Sequence, residues 1–559
     1  MMRQLTFLTI LLLFSIAGGG ISQGQTAERP LILPFLDPPG IDTWLLGQAY
    51  GNTTGAYRFG DQWYSAGQGL HFGLDFSAPC GTPLVAVADG TVAFVDNLNF
   101  GSAPHNVILR HDALNLTSLY GHLLERAPLT EGMQIQQGDL VGYTGDPDST
   151  CESRPHLHLE IRTLDYRTAL NPVDYIDANW NSLALIGSFS SRNYQIDLDN
   201  ARQWQTLDDQ PDVAFGGRIL NNYSAPYPAE INPPSNPPLV RNTAPIATDN
   251  PATLRIFDPT GCCWENWWHP TDANRLYTLD GFQNQRAGIY GYDARNNTLI
   301  ESLGLAPPPY YSPDFTHAIR PFGNTIEIQN LSSGESWSIE TGMAIPSINT
   351  DNTRLLWVAQ GGTSVPGQSA PTNNILVSDM RGENLQLLVS EAGVNAMWLD
   401  AHRLMLTISE RPYTRIDIID VRDNSRYTLG RWYRPRGFSI APNSERLMFY
   451  LAYQPDPEQN GVYWMDITPD AQANRVAWFG AYQWRDADSV FYVPFDATTN
   501  THQLMYYDIN SASSRALTDL TRQPFTMMDG RWSVNADGTM ILFRNAVDRN
   551  LWMIDIATQ

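Results

Sequence analysis

From about residue 260 onward the chain repeats itself, and a repeat of this kind admits few folds. Each cycle runs through a turn containing Pro or Asp, an apolar strand, a loop and a second strand that ends in Asp. Ala441-Pro442-Asn443, Arg446 to Tyr450 and Gly461 to Asp466 make one copy. Asn535-Ala536-Asp537-Gly538, Met540 to Phe543 and Leu551 to Asp555 make another. Further cycles start near Pro270, Pro313, Asn349, Asp400 and Ala487. About seven cycles at spacings of roughly 35 to 50 residues predict four-stranded sheets arranged radially, a β-propeller, because such closure leaves no long unpaired edge. The degenerate copies leave room for one blade more or fewer.

A chain of 559 residues and 62.5 kDa exceeds one ordinary core, so at least one further domain precedes the repeats. The hydrophobic fraction of 42% belongs to a folded protein, and 38 Pro with 42 Gly favour turns and strands over helix bundles. The expected fold class is therefore all-β: an antiparallel sheet domain followed by the propeller. The formal net charge is −23, and all 35 basic residues are arginines. That balance excludes nucleic acid as a partner, since phosphate binding needs clustered cations.

At the N-terminus Arg3 precedes the apolar run Leu5 to Ile16 and the small residues Ala17-Gly18-Gly19-Gly20. This pattern predicts a secretory signal over residues 1–24 and export to the cell envelope or beyond, with an uncleaved anchor as the competing reading. Residues 25–50 read as a Pro-rich extension, 51–176 as the first domain, 177–260 as a linker or elaborated connection, and 261–559 as the propeller. Four cysteines in an oxidising compartment allow three pairings. Cys80 and Cys151 each lie a few residues from a candidate metal ligand, so a Cys80–Cys151 bridge is expected. Cys262-Cys263 is either a vicinal bridge or two thiols.

Within the first domain, Leu84-Val85-Ala86-Val87 leads through Asp89-Gly90 into Thr91 to Val95, a hairpin signal. Leu157, Leu159 and Ile161 alternate with His158 and Glu160, so His156, His158 and Glu160 share one face of a strand. The same segment holds His71 and Asp75 four residues apart, and His122 after Tyr120-Gly121. Two histidines and a carboxylate make a zinc set that leaves one position for water; two more histidines remain for proton chemistry. His105, His111, His269, His317, His402 and His502 lack ligand spacing, and the propeller aromatics such as Trp264, Trp267 and Trp268 read as blade packing.

These residues carry a resemblance. Gly69-Leu70-His71-Phe72-Gly73-Leu74-Asp75, Ala78 to Pro83, Ala86 to Val92, Tyr120-Gly121-His122 and Pro155 to Glu160 resemble the M23 metallopeptidases. Those are lysostaphin- and LytM-like zinc endopeptidases that cut peptide cross-links of bacterial peptidoglycan. Gly138 to Gly142 and Thr144-Gly145 also fit. The resemblance implies His71, Asp75 and His158 as zinc ligands, and His122 and His156 as the histidines that orient water and stabilise the oxyanion. Its substrate would be a peptidoglycan cross-link or another peptide. The loop Asp148 to Arg154 departs from the family by being longer and more charged. The repeat in turn resembles that of the periplasmic TolB protein: Ser312-Pro313-Asp314 matches most of its serine-proline-aspartate-glycine turn, and Ala536-Asp537-Gly538 part of it. The propeller would bind a protein or wall partner. The rival expectation is a regulatory protein that binds peptide without cutting it.

Overall fold

The computed structural model describes residues 29–187, 194–195, 202–220, 252–258, 265–280, 288–302, 311–314, 316–360 and 372–556. The signal segment and Cys262-Cys263 lie outside the described residues. No helix among the described residues is long and apolar enough to cross a membrane.

The first unit is built on a nine-stranded antiparallel sheet. Along its main path Leu45–Leu46 is followed by Leu74–Ser77, His156–Thr163, Leu116–Gly121, Val107–His111, Gly90–Val95 and Gln134–Ile135. Alternation sorts the side chains of its central strands. Leu74, Phe76, Leu157, Leu159 and Ile161 enter the core, which leaves Asp75, Ser77, His156, His158 and Glu160 on the opposite face. Register then brings Asp75 opposite His158 and Ser77 opposite His156, with Gly121 opposite His158 on the other side.

Flanking chain is drawn into this core. Trp44 stacks on Phe35 at 4.7 Å, and both meet the edge of Phe76. Leu31 and Tyr50 join them, so much of the stretch read as an extension supplies core residues. On the other side Trp180, Leu183, Leu207 and Val213 pack on the same cluster, and Val213–Ala214 adds a short strand beside Thr168–Leu170. These are large apolar groups that a free linker would leave in water.

Among the described residues seven sheets make the propeller, six of them with four strands and the blade over 317–340 with three. The ring closes by shared pairing: Ala252–Asp258, from the stretch read as connection, lies against Leu551–Ile556 in the last blade. This pairing ties the beginning of the ring to its end and removes an exposed edge. The Asp that ends many strands caps the following turn. Asp293 accepts from the backbone N–H of Arg295 and Asn296, and Asp379 from those of Arg381 and Glu383.

The two units share a seam. Leu45, Leu185 and Ile186 belong to a propeller core cluster, while Phe495 and Ala497 pack on the core of the first unit. Gly530, at φ 64°, lies so near the 184–185 backbone that a Cβ would come within 2.4 Å of the Ala184 carbonyl. Across the seam Met527 N–H donates to His502 Nδ1 at 2.9 Å, His502 Nε2 donates to Ser182 Oγ at 3.0 Å, and that hydroxyl donates to the Thr499 carbonyl at 2.5 Å. The arrangement requires a neutral imidazole, and burial holds His502 down from 6.5 to about 4. The unfolded chain takes up this proton first as pH falls, so stability complete above pH 6.5 declines toward pH 4, by up to about 3 kcal/mol. Asp529, at the same seam, is pushed up to about 8 by burial and titrates in the opposite sense. Melting temperatures of wild type and His502→Gln across pH 4 to 7 isolate the histidine. The wild type should lose more stability on acidification than the variant; parallel curves would refute the assignment.

Candidate metal centre and catalytic face

Three donors converge on the polar face of the central strands. His71 Nε2 lies 3.2 Å from Asp75 Oδ1, His158 Nδ1 lies 2.8 Å from the same oxygen, and the two ring nitrogens are 3.2 Å apart. All three side chains are buried. These separations approach the edge of a tetrahedron with metal–ligand bonds of about 2 Å, roughly 3.3 Å. The outer nitrogens explain which lone pairs face inward. His71 Nδ1 donates to the Ala49 carbonyl at 2.7 Å, leaving Nε2 as acceptor. His158 Nε2 is directed at Glu160 Oε1, 3.4 Å away, and Arg162 Nε donates to the other Glu160 oxygen at 2.6 Å. Arg162 is itself held over the Phe215 ring at 4.1 Å.

The electrostatics describe a place for a cation. Burial works against ionised Asp75, yet His71, His156 and His158 hold its carboxyl well below the usual range. Burial likewise opposes a charged His158, but Asp75 and Glu160 push it up to about 9. Among the described residues, His71, Asp75 and His158 are the one group of His, Cys, Asp or Glu side chains placed so that they could hold a metal ion.

The other two histidines stand beside this cluster. His156 Nδ1 donates to the Arg154 carbonyl at 2.7 Å and turns Nε2 toward Asp75, 3.7 Å from Oδ1. His122 follows the strand Leu116–Gly121 in the left-handed region, at φ 56°. Its backbone is pinned by bonds to Ser102 and Gly145, and its Nδ1 bonds the Ala103 carbonyl. The His122 and His156 ring centroids are 4.8 Å apart. Burial, together with His156 and His158, holds His122 down to about 3, so its imidazole is neutral. All five residues singled out from sequence therefore meet on one face.

His105 and His111 lie elsewhere. His105 pairs with Asp96, and His111 bridges the Asp89 carbonyl and Ser118 Oγ. The Cys80–Cys151 disulfide is formed and closes a span of 71 residues. It fastens the charged loop next to the histidines, where Asp146 accepts from Ser153 and Arg154. Arg154 also lies 4.4 Å over Trp63, a half-exposed ring stacked on Phe59. Sequence reasoning left Glu160 and Arg162 without roles, although both continue the polar alternation begun at His156. The propeller residues that reach this face carried no sequence signal.

Residues 69–172 match the model of peptidase family M23. The segment is 40% identical over 95 residues to the DD-carboxypeptidase/endopeptidase Mpg of Neisseria meningitidis serogroup B, covering 17% of this chain and 20% of that protein. It is 26% identical over 136 residues to the glycyl-glycine endopeptidase ALE-1 of Staphylococcus capitis, covering 24% of this chain and 35% of the relative. Similarity to lysostaphin of Staphylococcus simulans is 24% over 135 residues, 24% of this chain and 26% of that one. The chain thus spans between a fifth and about a third of the length of these relatives. Residues 69–172 are a peptidase family M23 domain, and in this chain it is joined to a seven-bladed β-propeller.

Proposed function

We propose that the chain is an exported zinc endopeptidase that hydrolyses peptide bonds, with peptidoglycan cross-links as its substrate. The observation that carries this reading is the His71–Asp75–His158 cluster with two neutral imidazoles beside it. The relatives named for endopeptidase and glycyl-glycine endopeptidase activity support the choice of substrate. The disulfide supports an oxidising, extracytoplasmic location. In this reading the propeller is a binding or targeting module.

Bound zinc would supply an acidified water and an electrophile for the scissile carbonyl. The protein's own residues do the rest. Ala49 holds the outer ring nitrogen of His71, and the Glu160 carboxylate stands 3.4 Å from that of His158, so the inner nitrogens of both rings are turned toward Asp75. With Nδ1 held by a backbone carbonyl, His156 and His122 would each use Nε2 to take a proton from water or return one to the oxyanion or leaving amine.

Two measurements test these assignments. His122→Ala in the full chain should lose at least about 100-fold in kcat on glycine-rich peptides or purified peptidoglycan while retaining one equivalent of zinc. Full activity in that variant would reject its role, and zinc-loaded wild type without turnover would favour a peptide-binding protein instead. Glu160→Gln, which keeps the shape but removes the charge behind His158, should weaken zinc binding by about 10- to 100-fold in a chelator competition. Unchanged affinity would show that Glu160 does not support the ligand.

A further inference from the structure

The blade nearest the metal cluster brings two arginines to it, and among the described residues neither forms an ion pair. Arg434 and Arg436 lie where the strand Arg426–Tyr433 turns into Arg436–Ile440. Ser77 occupies the same strand face as Asp75 and pairs with His156. Arg436 Nη1 is 3.4 Å from Ser77 Oγ, and its guanidinium lies 4.9 Å over the Tyr453 ring. Tyr453 in turn donates to the Ser77 carbonyl at 2.9 Å, which seats the blade on this strand. Ser77 is two strand positions beyond Asp75, about 7 Å along the strand, and the guanidinium lies beside Ser77.

Arg434 takes the left-handed conformation, φ 47°, and bonds the Cys151 carbonyl of the disulfide loop. Its Nε is buried without a hydrogen-bond partner, and Asp146 and Glu152 act on it only at longer range. Arginines nearby are different. Arg415 pairs with Glu391, Glu410 and Asp417, Arg426 with Glu391 and Asp417, and Arg446 with Asp466 and Asp488. In a chain with 58 acidic residues against 35 arginines, two guanidiniums without a carboxylate beside a metal cluster leave a place for one from outside.

We propose that Arg436, positioned by Tyr453 and Arg434, binds a free carboxylate on the peptide substrate about two residues from the bond that is cut. The inference rests on the hydrolytic reading above and narrows its substrate to acidic peptides. An extended peptide advances about 3.3 to 3.6 Å per residue, so two residues span the distance from the metal cluster to Arg436. A planar guanidinium suits a carboxylate through paired N–H donors, and it would offset the repulsion an anionic peptide meets from a protein of net charge −23.

The test uses the zinc-loaded full chain in the His122→Ala background, where bound peptide persists, and two dansylated peptides. These are Ala-Gly-Gly-Glu-Ala amide and the same sequence with Gln in place of Glu. Fluorescence anisotropy should show the Glu peptide bound about 10-fold more tightly, a preference that shrinks as salt is raised. Arg436→Gln should bring the two affinities together, Arg436→Lys should keep part of the difference, and Arg434→Gln should reduce it. Melting curves confirm that each variant is folded; if Arg436→Gln unfolds, the lysine variant decides. Equal affinities in the parent, no binding of either peptide, or a preference that survives both Arg436 substitutions would overturn the proposal. Turnover by the zinc-loaded wild type is read separately. Cleavage of both peptides at equal kcat/KM would reject the carboxylate site and leave hydrolysis standing, whereas Glu-selective binding without turnover of any peptide would reject hydrolysis alone.

Discussion

Asp75 Oδ1 is the point on which the catalytic face depends. Three imidazoles approach it, at 2.8 Å from His158, 3.2 Å from His71 and 3.7 Å from His156. A buried carboxylate without compensation costs several kcal/mol, and here the compensation comes from those rings. The requirement propagates outward. His158 turns Nδ1 inward with Nε2 3.4 Å from the Glu160 carboxylate; Glu160, fully buried on the polar face, is met by Arg162, and Arg162 is flanked by Phe215. His156, His158, Glu160 and Arg162 lie on one strand at alternate positions. A one-residue slip of His156–Thr163 would send every member into the apolar layer and bring Leu157, Leu159 and Ile161 out, so burial on both faces fixes the register.

Close backbone approach sets a second constraint. A Cβ on Gly73 would come within 2.7 Å of the His158 ring, and one on Gly121 within 2.3 Å of Ser102 Cβ. Ser102 also accepts the His122 backbone N–H at 3.1 Å, and Gly145 closes on the His122 carbonyl from the other side. A histidine held left-handed costs roughly 1–2 kcal/mol, and these backbone bonds over-determine it. The glycines in His71-Phe72-Gly73 and Tyr120-Gly121-His122 are therefore steric conditions for placing the imidazoles.

These two constraints explain what the sequence discloses. Period-two alternation and fixed spacings within short segments are local, so the five site residues and the repeat of the blades could be read directly. The propeller's closure could not, because Ala252–Asp258 pairs with Leu551–Ile556 across some 300 residues and its strand pattern is no different from that of any exposed ribbon. Trp44, Trp180 and Leu207 likewise sit in Pro- and Asn-rich surroundings that read as irregular, and only the shape of the core explains why they are buried. Arg434 and Arg436 are the extreme case. Nothing in Tyr433-Arg434-Pro435-Arg436 distinguishes it from the other arginine-bearing turns until the fold sets it against Ser77 and Cys151.

The same contacts bear on how the two units work together. Domains joined by a free linker orient independently unless they share a substantial apolar interface. Here Leu45, Leu185 and Ile186 are core residues of the propeller, Phe495 and Ala497 pack on the core of the sheet domain, and Tyr453 and Ser182 bond across the seam. Separating the units would expose these apolar groups and leave Ser182 and His502, both buried, with fewer partners. The propeller consequently forms a wall beside the candidate metal centre. Its residues next to Ser77 and the disulfide loop are placed by contacts of their own with the sheet domain.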